Sequence, residues 1–289
     1  MMNMQKDHDS FYPIIIGQKD YIGNSTFRYN FPSGSIDLKR SSIALESINM
    51  YYSWFNITNT FKNRNLGSIG MPEGGGYAFY QVQFDEGFYT VEALNSYLQN
   101  YSILNNLYLV DSSGAYIFFY ELIINQNFYK IQLNLYEVPT AAEAAVLGWS
   151  NPSFTFPTVS GRRPIFTVGA FTDSTFGQLI GFSAGSYNDE SQLGDLIPQI
   201  SPVSSIVVQT TNLDNKYSNP ATNLHAFSIS NVAFGSMIII EPPELVFVDV
   251  TDCSISFIDI KLVDQNYNKL EFLDTAVIIN LIIKVREIK

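Results

Sequence analysis

Cysteine and histidine are almost absent from this sequence of 289 residues, which has one cysteine, Cys253, and two histidines, His8 and His225. A single thiol cannot close an intrachain disulfide, so disulfide-rich secreted scaffolds are excluded and a reducing compartment is favoured. A zinc cage of four cysteine and histidine ligands is excluded as well. A nucleophilic pair of Cys253 and His225 can be drawn, but no catalytic signature surrounds either residue. An incidental cysteine is therefore the favoured interpretation.

Charged residues are also few, at 15% of the chain, and the net charge is −11. The only basic doublets are Lys39-Arg40 and Arg162-Arg163. This argues against nucleic acid as a ligand, because phosphate binding needs clustered cations. With 46% hydrophobic residues, the surface has less charge than a solitary monomer usually carries. We therefore expect a partner to cover part of the surface.

Long hydrophobic runs are missing too. No apolar stretch approaches the roughly 20 residues that a membrane-spanning helix needs, so no membrane span is expected. Near the N-terminus, the only apolar run is Tyr12 to Ile16. This run is interrupted by Pro13 and is too short for a signal peptide.

Two segments resemble ligand-binding loops but lack essential residues. The segment Asp264–Asn268 matches the first half of a calcium loop, yet Lys269 stands where glycine is needed and Thr275 where glutamate is needed. A turn between the last two strands explains this segment better. The glycine run Gly74–Gly76 lacks the lysine and the hydroxyl residue of a phosphate loop, so it predicts a flexible turn.

Carboxylates could support glycoside hydrolysis only if two of them faced each other across a groove. Candidates are Asp85 with Glu86, and Asp249 with Asp252, but their sequence positions indicate solvated turns. We therefore predict no catalytic, cofactor-binding or metal site, and no enzyme activity.

Aromatic residues are abundant, with 22 Phe and 18 Tyr, and both types favour β-strands. Apolar and polar residues alternate along many short segments, most clearly at Tyr77–Phe84, at 258–262 and at 277–285. Helical signals are limited to Thr90, which can cap a helix, and to a capping box from Thr140 that ends at Gly148. This pattern predicts an all-β sandwich or barrel with short helices and with long loops at 139–163 and 183–204.

The predicted domain organisation is an N-terminal arm followed by one large domain. Residues 1–30 have scattered aromatics without a sustained period, so we expect an extended arm. Residues 31–289 show no clean linker and are expected to form a single elaborated domain. In that domain the last strand should be central, because Ile278 and Ile282 make its second face apolar. We expect it to pair with the strand at 258–262.

Three stretches resemble a known family when they are taken in order. The first is Phe84–Leu98, where a Gly-Phe-Tyr-Thr opening leads into a short helix. The second is Phe176–Phe182, and the third is the C-terminal run from Ile206 through Ile258–Asp264 to the last strand. Together, over about residues 77–289, they resemble the penton, or vertex minor capsid, proteins of virophages and Maverick/Polinton elements.

This resemblance implies a jelly-roll β-sandwich of two antiparallel sheets with Greek-key connections. It also implies a homopentamer that closes the fivefold vertices of an icosahedral capsid and contacts the major capsid protein. The location would be the virion, assembled in the cytoplasm of the infected host cell. The family has no catalytic residues to carry over, because its role is structural.

Two other classes of function remain open, because jelly rolls also occur as lectins and enzymes. A carbohydrate- or receptor-binding module of a virion would need an aromatic platform, such as Trp149 or Trp54, near an asparagine. A glycoside hydrolase would need the facing carboxylates described above.

Overall fold

The computed structural model describes residues 8–169, 174–229 and 232–287. The chain forms two compact units. Unit 1 is built from residues 1–54 and 203–289, and unit 2 from Phe55–Pro202. The sequence predicts a single domain over 31–289, whereas the middle of the chain has a hydrophobic core of its own. The division is not evident from the sequence, because the Pro- and Ser-containing stretch around Val203 is similar to other loops of the chain and no linker-like composition flanks Trp54.

Unit 1 contains most of the long strands. They are β1 (His8–Ile16), β2 (Tyr21–Gly23), β3 (Thr26–Asn30), β4 (Ile36–Asp37) and β5 (Ser41–Tyr51), followed after unit 2 by β15 (Ser205–Thr210), β16 (Asn223–Ser228), β17 (Met237–Ile240), β18 (Val248–Asp249), β19 (Ser254–Ile255), β20 (Phe257–Asp264) and β21 (Ile278–Glu287). A single 3-10 turn, Gln18–Asp20, links β1 to β2.

These strands form two five-stranded antiparallel sheets. Sheet A has the order β1-β21-β5-β17, with β18 also pairing with β5. Sheet B has the order β16-β15-β20-β3-β2. Strands β4 and β19 form a separate small pair. The all-β class predicted from the alternating pattern is confirmed.

The inner faces of both sheets come from the alternating apolar positions. In β21 the side chains of Ile279, Leu281 and Ile283 are buried, and in β20 those of Ile258 and Ile260 are buried. Side chains on a strand point alternately to opposite faces, so a period of two places such a set on one face.

The predicted hairpin of the last two strands is wrong. Strand β20 pairs with β15 and β3 in sheet B, whereas β21 pairs with β1 and β5 in sheet A. The turn after Asp264 exists, but the chain then crosses to the other sheet. An alternating pattern predicts which face of a strand is buried, but it does not predict which strand pairs with it. The central position predicted for the last strand is confirmed.

The N-terminal segment is a strand in this structure. Strand β1 pairs with β21 from His8↔Glu287 to Ile16↔Ile279, and β2 and β3 belong to sheet B. The sequence predicts an extended arm over residues 1–30, and residues 1–7 of this arm lie outside the described residues. Pro13 obscured the strand pattern, but β1 is an edge strand, where a residue without an N–H is tolerated.

Unit 2 contains shorter elements. Its strands are β6 (Asn65–Glu73), β7 (Gly76–Gln83), β8 (Leu109–Val110), β9 (Tyr116–Ile117), β10 (Tyr120–Asn125), β11 (Lys130–Leu135), β12 (Ile165–Val168), β13 (Gly185–Tyr187) and β14 (Ser191–Leu193), and its helices are α1 (Val91–Leu104), α2 (Ala141–Leu147) and α3 (Phe176–Ile180). The sheets have the orders β13-β12-β6-β7 and β10-β11-β14, with β8 and β9 as a separate pair.

The two predicted helices of unit 2 are confirmed with their caps. The Thr90 hydroxyl accepts a hydrogen bond from the Ala93 amide at the start of α1. Thr140 and Glu143 form a capping box at the start of α2, and Gly148 ends it with φ 70°, a left-handed conformation that glycine adopts easily. No helix of the described ranges is long and apolar enough to cross a membrane.

Helix α1 is joined to strand β10 by a buried polar contact. The Ser102 hydroxyl donates to the Leu98 carbonyl at 3.1 Å and also hydrogen-bonds with the Tyr120 hydroxyl. Both residues are buried, and desolvation raises the pKa of Tyr120. The phenol is thereby held in its neutral form within the core of unit 2.

Candidate interaction surfaces

The two residues of the conceivable nucleophilic pair are placed in separate structural contexts. His225 lies in strand β16 opposite Val208, and burial lowers the pKa of its imidazole. Cys253 lies between β18 and β19, where its backbone carbonyl accepts from the Leu38 amide at 2.9 Å. Within the described residues no hydrogen bond joins the two side chains.

Asp264 is used to build a turn. Its carboxylate accepts hydrogen bonds from the Asn266 amide at 2.8 Å and the Asn268 amide at 2.7 Å, and from Asn268 Nδ2 at 2.9 Å. These contacts fix the loop through local side-chain to backbone bonds. Among the described ranges, no group of three or more His, Cys, Asp or Glu residues could hold a metal ion.

Two of the other candidate carboxylates, those of Glu86 and Asp252, also accept hydrogen bonds from the backbone. Glu86 Oε1 accepts from the Asn59 amide at 2.7 Å, and Asp252 Oδ1 accepts from the Arg40 amide at 2.9 Å. Asp85 lies 3.9 Å from Arg64 Nη2. Glu86 and Asp85 belong to unit 2 and Asp252 to unit 1, and each role is structural.

The glycine run Gly74–Gly76 forms the turn of the β6–β7 hairpin. The guanidinium of Arg162 donates to the carbonyls of Gly75 and Gly76 at 3.0 and 3.1 Å. The loop therefore presents carbonyl oxygens to a cation of the protein itself, which is the opposite of a phosphate-binding arrangement.

The tryptophans differ in their suitability as aromatic platforms. Trp54 is buried in unit 1 and its ring contacts those of Tyr52 and Phe272, so it cannot stack on a ligand. Trp149 is half-buried in unit 2. The nearby Asn151 uses its amide to bond the Tyr108 carbonyl and the Ser153 amide, so it is not available to a sugar.

Trp149 lines a groove of about 540 Å³ beside helix α2. The apolar lining comes from Val138, Pro139, Ala142, Val146 and Leu147 together with the indole, and the polar lining from Glu137, Glu143 and Ser160. Both oxygens of Glu143 are occupied, since Ser160 donates to Oε1 and Thr140 to Oε2, which holds the pKa of this carboxyl below its usual range. The groove has the size of a small-ligand site.

The outer face of sheet A has an apolar surface. Ile15, Ile278, Ile239 and Met237 are all exposed there. The register places Ile278 and Ile239 on either side of Asn49, so the three side chains form one row across the sheet. We call the exposed positions 15, 237, 239 and 278 the outer apolar face.

Asn49 sits in the middle of that row with an unsatisfied acceptor. Its Oδ1 atom is buried and has no hydrogen-bond partner among the described residues. A buried acceptor without a donor is costly to a folded chain. The sequence signal for this surface is the second apolar face of the last strand, a pattern that also indicates a central position in a sheet.

No protein-family model matches the chain, and no curated protein matches it. Among solved structures, the chain is similar to the crystal structure of selenomethionine-labelled mavirus penton protein. The two share 11% sequence identity with a TM-score of 0.45, and the alignment covers 98% of this chain and 100% of that chain. The matched structure is that of a penton protein, which is also the kind of protein that the sequence motifs resemble.

Proposed function

We propose that this chain is a structural capsid protein that closes the fivefold vertices of an icosahedral virophage virion as a homopentamer. Its partners are then copies of itself and the surrounding major capsid protein. It acts without catalysis, cofactor or metal, and it is located in the virion after assembly in the cytoplasm of the infected cell. The ordered motifs of the sequence support this proposal.

The observation that carries the proposal is the strand order of unit 1. Eight of its strands form four antiparallel pairs that are nested along the chain: β1 with β21, β3 with β20, β5 with β17, and β15 with β16. Among these eight strands, the first in the sequence pairs with the last, the second with the next to last, and the order continues inward in the same way. Rolling such a long hairpin into two sheets produces the jelly roll, a common architecture of viral capsid proteins.

The outer apolar face supplies a surface for ring formation. A ring is built from heterologous contacts, in which one patch meets a different patch of the next subunit. Burial of exposed Ile239 and Ile278 against a neighbour would stabilise the contact, and a donor from that neighbour would satisfy Asn49 Oδ1. Repulsion between subunits of charge −11 opposes association, and salt weakens this repulsion.

The proposal is tested by native mass spectrometry across a series of salt concentrations, with electron microscopy of virions beside it. We expect a pentamer that dissociates less as the salt concentration increases. Ile239→Lys should remove the pentamer while the fold persists, because the side chain is exposed. The matched control is Ile22→Lys, an exposed isoleucine of sheet B, which should leave the mass unchanged. Density for the chain at threefold or quasi-sixfold positions, with none at the vertices, would refute the vertex assignment.

A second candidate function is a carbohydrate- or receptor-binding module of a virion, which the Trp149 groove favours. The indole can stack on a sugar, and the carboxylate of Glu137, which is paired with Arg163 at 2.7 Å, lies in the same groove to accept from the sugar hydroxyls. Binding on a glycan array that is lost in Trp149→Ala, together with a monomeric mass at every salt concentration, would support this function over the vertex role.

A further inference from the structure

The tip of the β10–β11 hairpin exposes three large apolar side chains. Ile124 is 51% exposed, Phe128 is 63% exposed and Tyr129 is 74% exposed. All three lie at the end where the two strands are joined by residues 126–129, next to the pair Asn125↔Lys130. Phe128 and Tyr129 belong to the turn itself, whereas Ile124 is an exposed residue near the end of β10, on the same face as Leu122. An exposed apolar tip can insert into a fluid surface such as a lipid interface, but it is poorly suited to enclosing a ligand.

Tyr129 occupies a backbone conformation that its side chain disfavours. Its φ is 53°, in the left-handed region where glycine is preferred. In the described part of the chain its ring makes no aromatic pair and its hydroxyl no hydrogen bond. The folded chain therefore gains little from this ring, although the backbone is strained to carry it.

The tip carries no charge. The eight residues from Leu122 to Tyr129 include no Asp, Glu, Lys or Arg. The flanking charges are engaged: Glu121 accepts from the Tyr136 hydroxyl at 2.9 Å, and the Lys130 ammonium donates to the Asp195 carbonyl at 3.1 Å. The polar groups of the turn are uncharged amides, and Asn125 Nδ2 bonds Gln132 Oε1 at 2.9 Å.

An uncharged apolar tip of this kind fits a neutral lipid surface. Phenyl and phenol rings concentrate at the boundary between headgroups and acyl chains, where the ring is buried and the hydroxyl stays hydrated. An uncharged tip avoids the cost of moving a charge into that boundary. The net charge of −11 disfavours anionic lipids, because like charges repel. A zwitterionic bilayer fits both observations.

We propose that the apolar tip formed by Ile124, Phe128 and Tyr129 inserts into the interface of a zwitterionic phospholipid bilayer. This is a lipid-binding activity of unit 2, and it is separate from the vertex role of the chain. The insertion is shallow, because only the tip of one hairpin is apolar. Its affinity therefore depends directly on the few side chains that enter the boundary.

The experiment is partition of the full chain onto phosphatidylcholine vesicles, measured by co-flotation over a lipid titration. We expect the wild-type chain to float with the vesicles, and Phe128→Ser with Tyr129→Ser to lower the partition constant by more than about tenfold. The matched control is Tyr217→Ser, which removes a fully exposed tyrosine of unit 1 and should leave partition unchanged.

Tyr129→Gly separates insertion from folding. Glycine relieves the left-handed backbone, so the melting temperature should stay the same or rise while partition falls. The proposal is overturned if the wild-type chain stays with the unbound fraction, if the tip variants float as well as the wild type, or if flotation requires phosphatidylserine. A tip variant that changes only the oligomeric mass would assign the tip to a protein contact and would also overturn it.

Discussion

The buried contact between Ser102 and Tyr120 predicts an unequal response to the removal of its two hydroxyls. Tyr120→Phe leaves the Ser102 hydroxyl satisfied, since it still donates to the Leu98 carbonyl at 3.1 Å. We expect a loss of about 1 kcal/mol in the free energy of unfolding, the usual value of one hydrogen bond. Ser102→Ala instead leaves the Tyr120 hydroxyl with only the Leu98 carbonyl, at 3.4 Å.

A buried donor with one poor acceptor costs about 1–3 kcal/mol. The better helix propensity of alanine within α1 offsets roughly 0.5 kcal/mol of that. The double variant has no hydroxyl left unpaired, so its cost should stay near that of Tyr120→Phe. The double-mutant cycle should then give a coupling energy of about 1–2 kcal/mol in magnitude.

The assay is urea unfolding followed by tryptophan fluorescence. The chain has two tryptophans, Trp54 in unit 1 and Trp149 in unit 2. A Trp54→Phe background therefore leaves Trp149 as the reporter of the unit that contains the contact. Strictly additive costs for the two single changes would refute the coupling. An unfolding slope that changes between variants would mean that the denatured state had changed as well.

Three further predictions concern alkaline stability, the core of sheet A and the N-terminal strand. Burial, followed by hydrogen bonding to Glu73, raises the pKa of Tyr80 to about 12. The neutral phenol therefore contributes stability that is complete below the ordinary tyrosine pKa of about 10 and is lost as the pH rises toward 12. Alkaline unfolding monitored by circular dichroism should begin in that window and should be less steep in Tyr80→Phe. Leu281→Ala should destabilise unit 1 by about 2–4 kcal/mol because the side chain is fully buried, whereas the half-buried Ile282→Ala should cost clearly less in the same urea titration, and equal costs would contradict the assigned faces. Limited proteolysis of the isolated chain tests residues 1–30: resistance across His8–Ile16 is expected if β1 stays paired with β21 in solution, and rapid cleavage there would instead support the extended arm predicted from the sequence.

Local features of the fold were predictable because their causes are local. The caps at Thr90 and Thr140 and the buried alternation in the last strand depend on neighbouring residues, and all are found as predicted. Strand pairing was not predictable in the same way. The partner of β20 depends on tertiary packing, and alternation permits any neighbour that buries the same face.

The surfaces were harder to predict than the fold. The sequence does not distinguish Trp54 from Trp149 as an aromatic platform. Only the packing of the folded chain shows that the first ring is buried and the second half-buried. The apolar hairpin tip gave no periodic signal, because Phe128 and Tyr129 follow three amide residues in a turn. The left-handed conformation of Tyr129 is a property of the folded backbone, which sequence patterns for turns assign to glycine or asparagine.

In the sequence, unit 2 is inserted between two segments of unit 1, and this insertion constrains the order in which the chain can fold. The partners of the β1–β21 pair are between 263 and 279 residues apart, from Ile16↔Ile279 to His8↔Glu287. During synthesis β1 must wait without its partner until the last strand has emerged, while unit 2 is contiguous and can fold first. Once unit 2 has folded, bringing the end of β5 and the start of β15 together costs less entropy than closing a flexible loop of the same length. The folding rate of unit 1 should therefore depend on the stability of unit 2, although none of its own strands lies there.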